Sequence, residues 1–388
     1  MEKRLVYADN AATTKLAPGA FEAMAPFLSG NYGNPSSLYR LGREARAAVE
    51  AAREQVASAI GAASPNEVIF TSSGTEAVNW AIIGTARMLS EHGKRHIIVS
   101  SIEHYAVLNT VKALTAEGFE VTYLPVSRAG RVDPEGAGAA IRKDTALVSV
   151  MYANNETGII QPVAKIGEIC RERGVTFFCD AVQAVGSLPV HAVRDGIGMM
   201  ALSAHKFHGP KGIGALYVRE GVPFQPMFYG GNQERGQRAG TENVAAIAGL
   251  AAAVHLNPDA DRIRGLRDRL LGELLKIPGT ALNGGLEDRM PGNINICFEK
   301  VEGESLLLML DIHGIAVSSA SACSAGNGLP SHVLLAMGLS PERANGSIRI
   351  TLGKDSTVED ADYIAGVMPG IISKLRSIVN QSKKPSNW

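Results

Sequence analysis

The sequence predicts an α/β fold: a large domain built on a mainly parallel seven-stranded sheet, and a smaller α+β domain. Three observations carry this. Short β-rich runs alternate with helical stretches through the middle of the chain. Most of those runs are continuously apolar, as in strands covered on both faces. The 388 residues also exceed the ~250–300 at which one hydrophobic core stops growing.

In chain order, Arg43–Ile60 reads as a long helix ahead of the first strand, Val68–Thr71. Strands follow at His96–Ser100, Glu120–Leu124, Leu147–Tyr152, Val175–Asp180, Met199–Ser203 and Gly214–Val218, with helices at Thr75–Ser90, Ala106–Ala116 and Val163–Arg173. This is the βαβ rhythm of a parallel sheet. The last two strands are joined by only about ten residues, too few for a helical crossover, so one antiparallel pairing is expected at an edge. Beyond Thr241 the pattern turns helical, through Glu242–His255 and Asp261–Leu275. Asn293–Phe298 alternates as a strand, Glu304–His313 reads as a helix, Ser347–Leu352 as a strand and Val358–Ser377 as a closing helix. Asn257-Pro258-Asp259 interrupts the helical period. It divides the chain into a large domain, residues 1–257, and a small one, residues 258–388.

Lys+Arg and Asp+Glu both number 38. That balance argues against nucleic acid or a membrane surface as a partner recruited by bulk charge. No apolar run reaches membrane-spanning length, and Met1–Asp9 lacks the apolar core of a signal peptide. Cys170, Cys179, Cys297 and Cys323 show neither CxxC nor zinc spacing. A cytoplasmic protein with free thiols is the expectation.

Open α/β sheets bind ligands at the carboxyl ends of their strands, and the unusual residues of this chain cluster there. Lys206 follows a strand in Ser203-Ala204-His205-Lys206, and Asp180 ends the neighbouring one. A pyridoxal phosphate site requires this combination, the amine for imine linkage and the carboxylate for the pyridinium nitrogen. Gln183 can reach the ring's phenolic oxygen from the same side. Thr71-Ser72-Ser73-Gly74-Thr75-Glu76 offers a phosphate cradle at a helix N-terminus, and reads equally well as an ordinary N-cap. Ser203 and His205 could add phosphate contacts. Asn154-Asn155-Glu156-Thr157-Gly158 is either a plain turn or a way to present Asn155 to a ligand. His104 at a third strand end could stack on a pyridine ring and shuttle protons, although a lone histidine is more often structural. Cys323 sits in a stretch of small residues that predicts a mobile loop, where the thiol is either a travelling nucleophile or incidental. The other three cysteines fit buried positions.

Rival motifs fail. Gly196-Ile197-Gly198-Met199-Met200-Ala201 leads into a strand rather than out of one, and Gly209-Pro210-Lys211-Gly212 lacks P-loop spacing. There is no firm metal site.

Together these segments resemble the cysteine desulfurases, in the branch that serves iron–sulfur cluster and nitrogenase assembly. The resemblance runs from Asp9-Asn10-Ala11-Ala12-Thr13-Thr14, through Gly33-Asn34-Pro35-Ser36-Ser37, Ser-Ala-His-Lys at 203–206 and Glu234-Arg235-Gly236-Gln237-Arg238-Ala239-Gly240-Thr241, to the loop at Cys323 and Ser347-Ile348-Arg349. It implies a fold-type I pyridoxal 5'-phosphate transferase, a homodimer, and an N-terminal segment (residues 1–15) packed with the small domain. It implies Lys206 as the imine lysine and His104 as a catalytic acid–base. The implied cofactor contacts come from Gly74, Thr75, Asn155, Asp180, Gln183, Ser203 and His205, with Thr241 supplied by the partner subunit. Asn155 and Arg349 would hold the carboxylate of L-cysteine. Cys323 would carry the persulfide to an iron–sulfur scaffold or other acceptor, with at most a transient iron–sulfur contact of its own. A selenocysteine lyase or an aminotransferase on the same scaffold is the alternative. The chain departs from the family at Ala320, where glycine is usual, and in Ser324-Ala325-Gly326-Asn327-Gly328 after the cysteine.

Overall fold

The computed structural model describes residues 4–256, 258–319 and 329–382, with side chains through 378. The seven-stranded sheet runs in the order Val68–Thr71, Gly214–Val218, Met199–Ser203, Thr176–Asp180, Thr145–Ser149, His96–Ser100, Glu120–Leu124. All pairings among the last five strands are parallel. Gly214–Val218 is antiparallel to both of its neighbours. The reversed strand is therefore interior, whereas an antiparallel edge was expected. The short connection does force the chain back on itself, but the earliest strand, Val68–Thr71, pairs outside the returning one and takes the edge.

Alternate residues of each strand feed opposite faces, as the two-residue period requires. Phe70, Ile98, Val148, Phe177, Cys179, Met200, Leu202, Ala215 and Tyr217 pack into one core with the helices Arg40–Ala59, Val163–Glu172 and Val244–Val254. Ile69, Ile97, Val99, Leu147, Phe178, Met199, Ala201, Leu216 and Val218 pack into the other, under Gly74–Ser90 and Tyr105–Thr115. Both faces are apolar, which explains the continuous runs.

A separate apolar cluster gathers Ile294, Ile296, Phe298, Ile348 and Ile350 with Leu266, Leu270, Leu306, Leu310, Ile364 and Met368. Its sheet is antiparallel, in the order Ser318–Ser319, Ser347–Thr351, Asn293–Phe298, Thr280–Leu282. The helices Ala260–Leu274, Gly303–Ile312 and Val358–Ser382 cover it. Val6 and Ala8 join the same cluster, and Val6–Tyr7 pairs in parallel with Ile315–Ala316. The N-terminal segment then crosses to the large sheet, where Thr14 N–H donates to the His205 carbonyl at 2.9 Å. Among the described residues no helix is long and apolar enough to cross a membrane.

Helices the sequence reading missed include Pro18–Ser29 and Pro134–Ala140. Each opens on a proline in its first turn. That position suits proline, since no intrahelical bond is lost there.

One buried ion pair holds a strained segment against the sheet edge. Arg53 donates to both carboxylate oxygens of Glu234, at 2.7 and 2.9 Å, and to the Val68 carbonyl at 2.8 Å. Glu234 also accepts the Phe70 N–H at 3.0 Å. Glu234 and Arg235 have left-handed backbone, with φ of 46° and 58°, a conformation kept only where surroundings over-determine it. Replacing Glu234 with alanine leaves the buried Arg53 guanidinium with only Glu50, at 3.1 Å, and the Val68 carbonyl, and urea unfolding should show a loss of about 3 kcal/mol. Arg53→Met/Glu234→Leu, which removes both charges, should lose less than Glu234→Ala alone.

Candidate active site

The sheet brings its functional ends to one level. Ser203 and Thr71 each lie opposite Gly214, and Asp180 lies opposite Ala201. A cavity of about 550 Å³ opens above these ends. Among its lining residues are Gly74, Thr75, His104, Asn155, Asp180, Gln183, Ser203, His205, Lys206 and Arg349. All ten were singled out from the sequence. Thr241 is exposed and lines a neighbouring cavity of about 130 Å³ instead. Cys323 lies outside the described residues.

Lys206 is held by backbone carbonyls of the N-terminal segment. Its Nζ donates to the Ala11 and Ala12 carbonyls at 2.6 and 2.8 Å. Gln183 Nε2 shares the Ala11 carbonyl at 2.9 Å. Asp180 is buried, and its Oδ1 accepts the Val182 N–H at 3.0 Å. Burial pushes its pKa up, against the pull of His104, the Val182 bond and Lys206. Such a carboxylate gains most from a cation placed beside it. His104 caps the helix Tyr105–Thr115: its Nδ1 accepts the Ala106 N–H at 3.1 Å. That bond assigns the ring proton to Nε2.

Ser72, Ser73, Gly74, Thr75, Ser203, His205 and Gly212 line one part of the cavity. Ser73 caps the helix by accepting the Glu76 N–H at 3.2 Å. A Cβ on Gly74 would lie 2.8 Å from Val182 Cγ2 and 3.2 Å from Ser203 Cβ, so only glycine lets the helix start this close to the strand ends. The His205 ring meets Thr13 Oγ1 at 3.1 Å. Burial, with the charges of Lys206 and Lys211, pushes its pKa down to about 4. The ring is neutral at physiological pH and can donate one hydrogen bond to an anion.

The paired asparagines divide the work. Asn154 Oδ1 accepts the Glu156 and Thr157 N–H groups at 3.0 and 2.8 Å, forming the turn. Asn155 lines the cavity. Arg349 is 2% exposed. It donates to the Asn155 carbonyl and to Asp9 Oδ1, each at 2.8 Å, while its buried Nε has no partner among the described residues. Nothing in the sequence foreshadowed the Asp9 contact, which joins residues 340 positions apart.

These groups fit pyridoxal phosphate. An amine and a buried acid stand at neighbouring strand ends, a glycine-dependent donor cradle closes one end of the cavity, and a buried guanidinium with an unmatched N–H lines it. No cluster placed to hold a metal occurs among the described residues.

Comparison with known proteins agrees. The Aminotransferase class-V family model matches residues 6–364. The cysteine desulfurase IscS of Dictyoglomus turgidum is 50% identical over 97% of this chain and 96% of its own. A solved structure described as a NifS-like protein superposes with a TM-score of 0.88 at 39% identity, covering 97% of this chain and all of the other. Another, described as SspA in complex with cysteine, gives 0.81 at 36% identity over 91% of this chain and 100% of its own. By fold and family the chain is a class-V aminotransferase. Within that class it belongs to the cysteine desulfurases, enzymes that depend on pyridoxal 5'-phosphate.

One buried acid behind the cavity gives a pH prediction. Glu103 is fully buried; its Oε1 accepts from Ser100 Oγ at 2.5 Å and Met151 N–H at 2.8 Å, and its Oε2 has no partner among the described residues. Burial, with the charge of Asp180, pushes its pKa up to about 8, against the Ser100 and Met151 bonds and His104. The folded state therefore binds this proton more tightly than the unfolded chain. The contribution is fully present below the ordinary value of 4.5 and is lost as pH rises through about 8. Glu103→Gln should flatten the decline in unfolding free energy between those limits, measured by denaturant titration at several pH values.

Proposed function

We propose that this enzyme removes sulfur from L-cysteine by passing it to Cys323, releasing L-alanine and leaving a Cys323 persulfide. The observation that carries the reading is the convergence of Lys206, Asp180, His104 and Arg349 on one cavity with a phosphate cradle. When bound, pyridoxal phosphate supplies an electrophilic carbonyl carbon and an electron sink.

The chain's own residues do the rest. Gly74, Thr75, Ser203 and His205 hold the phosphate, and Asp180 keeps the ring nitrogen protonated by a charge-assisted bond. Gln183 steadies the ring oxygen. Arg349, with Asn155, binds the substrate carboxylate, its planar fork suited to two oxygens. Lys206, whose amine lies in the same cavity, would take the Cα proton. His104, with its proton on Nε2, serves the proton transfers around the substrate thiol. The Cys323 thiolate attacks the substrate sulfur. The new S–S bond forms as the C–S bond breaks, and the electron pair of that bond stays on carbon, where protonation completes alanine. Holding the reacting groups together in one closed site supplies several kcal/mol of the barrier lowering, on the order of what well-oriented intramolecular reactions gain.

Further parts of this reading concern organisation. The large domain spans residues 1–257 and the small domain 258–388, with the N-terminal segment, about residues 1–15, attached to the small one; the pairing of Val6 with Ile315 and the bridge from Asp9 to Thr351 support this. Two copies form a homodimer in which Thr241 completes the partner's phosphate site. Its exposure supports this, as does that of Tyr32, Leu38, Tyr39 and Tyr229 on the single chain. The persulfide passes to an iron–sulfur scaffold or other acceptor protein in the cytoplasm. The unpaired, buried Cys170, Cys179 and Cys297 are consistent with that compartment.

Two substitutions test the chemistry. Cys323→Ala should keep the absorbance of bound cofactor but form no persulfide, with alanine release falling at least a hundredfold. Undiminished turnover with dithiothreitol would remove the cysteine from the mechanism. Borohydride treatment of the wild-type holoenzyme should fix the cofactor to residue 206, found by peptide mass spectrometry, and Lys206→Ala should give no adduct.

A further inference from the structure

Glu76 poses a problem that the cofactor chemistry leaves unanswered. It is buried in the first turn of the helix Gly74–Ser90, directly behind the residues that would receive a phosphate. A carboxylate there is favourable for the helix dipole, yet it repels a phosphate dianion arriving at the same helix end.

The structure shows how that conflict is arranged. Glu76 Oε2 accepts the Ser72 N–H at 2.9 Å and also the Ser72 hydroxyl. The Glu76 N–H donates to Ser73 Oγ at 3.2 Å. The turn entering the helix is thus pinned in both directions, which fixes how Ser72, Ser73, Gly74 and Thr75 line the cavity. Arg238 then covers both carboxylate oxygens, with Nε on Oε1 at 2.9 Å and Nη2 on Oε2 at 3.2 Å. Its guanidinium also lies 5.3 Å over the Phe228 ring. Burial raises the Glu76 pKa, but the Arg238 and Ser72 bonds outweigh it and hold the carboxyl below its ordinary value.

We propose that Glu76 and Arg238 are positioning residues for the phosphate end of the cofactor and work as a neutral pair. Glu76 shapes the cradle, and Arg238 cancels the charge that shaping would otherwise place beside the phosphate. This rests on the pyridoxal phosphate reading above. It assigns the pair a sign: losing Arg238 alone exposes a negative charge to the phosphate, whereas losing both charges does not.

The test compares dissociation constants for pyridoxal 5'-phosphate and for pyridoxal, which lacks the phosphate, by absorbance titration of apo protein. Arg238→Gln should weaken pyridoxal phosphate about tenfold or more, with little change for pyridoxal. Glu76→Gln should weaken it less. The double variant Glu76→Gln/Arg238→Gln should bind pyridoxal phosphate more tightly than Arg238→Gln does. A purely structural tie predicts losses that add and that fall on both ligands alike, and that outcome overturns the proposal. A double variant no better than Arg238→Gln also overturns it. Wild-type protein that binds neither ligand would end the cofactor reading, and this proposal with it.

Discussion

The site depends on strand register. Thr71, Gly214 and Ser203 lie level across three strands, and Asp180 sits opposite Ala201 in the next. That alignment puts the cradle, the lysine turn and the buried acid around one space. A slip of one residue exchanges the faces of every side chain on a strand. In Thr176–Asp180 it would trade the core positions of Phe178 and Cys179, which belong to opposite clusters. The two apolar faces therefore hold the strand ends in place, although none of the proposed site residues belongs to either core.

Buried charge is handled in two ways. Ion pairs join segments far apart in sequence: Arg53 with Glu234, Arg238 with Glu76, and Arg349 with Asp9. Removing two ions from water is expensive, and such pairs break even only with good geometry and further hydrogen bonds. Each of the three has both, since a carbonyl, a main-chain N–H or a hydroxyl completes the set. Buried acids with no arginine or lysine salt bridge among the described residues take the other course. Burial pushes Glu103 up to about 8 and Glu156 up to about 7, so near neutral pH Glu103 is mostly protonated and Glu156 about half so. The site thus keeps its ionised groups where a ligand or an arginine can meet them.

How much was legible in the sequence follows from the kind of interaction. The strands announced themselves because both faces are apolar, and Asp180 and Lys206 stood out as charges ending such runs. The reversed strand was visible in its short connection, but its interior place was not, because pairing order along a sheet leaves no local trace. The Ala11 and Ala12 carbonyls that hold Lys206 could not be read at all, since a backbone acceptor carries no side-chain signature. Glu76 looked like any acid in a first helical turn, and its meaning came only with Arg238, 162 residues away. Asn155 was put forward for a ligand and Asn154 was not, and the fold gives Asn154 the turn and Asn155 the cavity. Thr241 matched a family motif yet lines a different cavity of its own chain, a separation no linear pattern contains.

The N-terminal segment links these parts mechanically. Val6 pairs with Ile315 beside the second core, Ala8 bonds with Ala316 and Thr351, Asp9 grips Arg349, and Ala11 and Ala12 hold Lys206. One short stretch therefore touches Arg349, Lys206 and the second sheet in turn. Among the described residues the Arg349 Nη groups are engaged and its Nε is unmatched. A substrate that takes a bidentate grip must draw the guanidinium away from Asp9 or share it. Either change acts on a residue two positions before the carbonyl that holds Lys206. On the roles proposed for Arg349 and Lys206, substrate binding and the orientation of the amine would be connected through the backbone from Asp9 to Ala11.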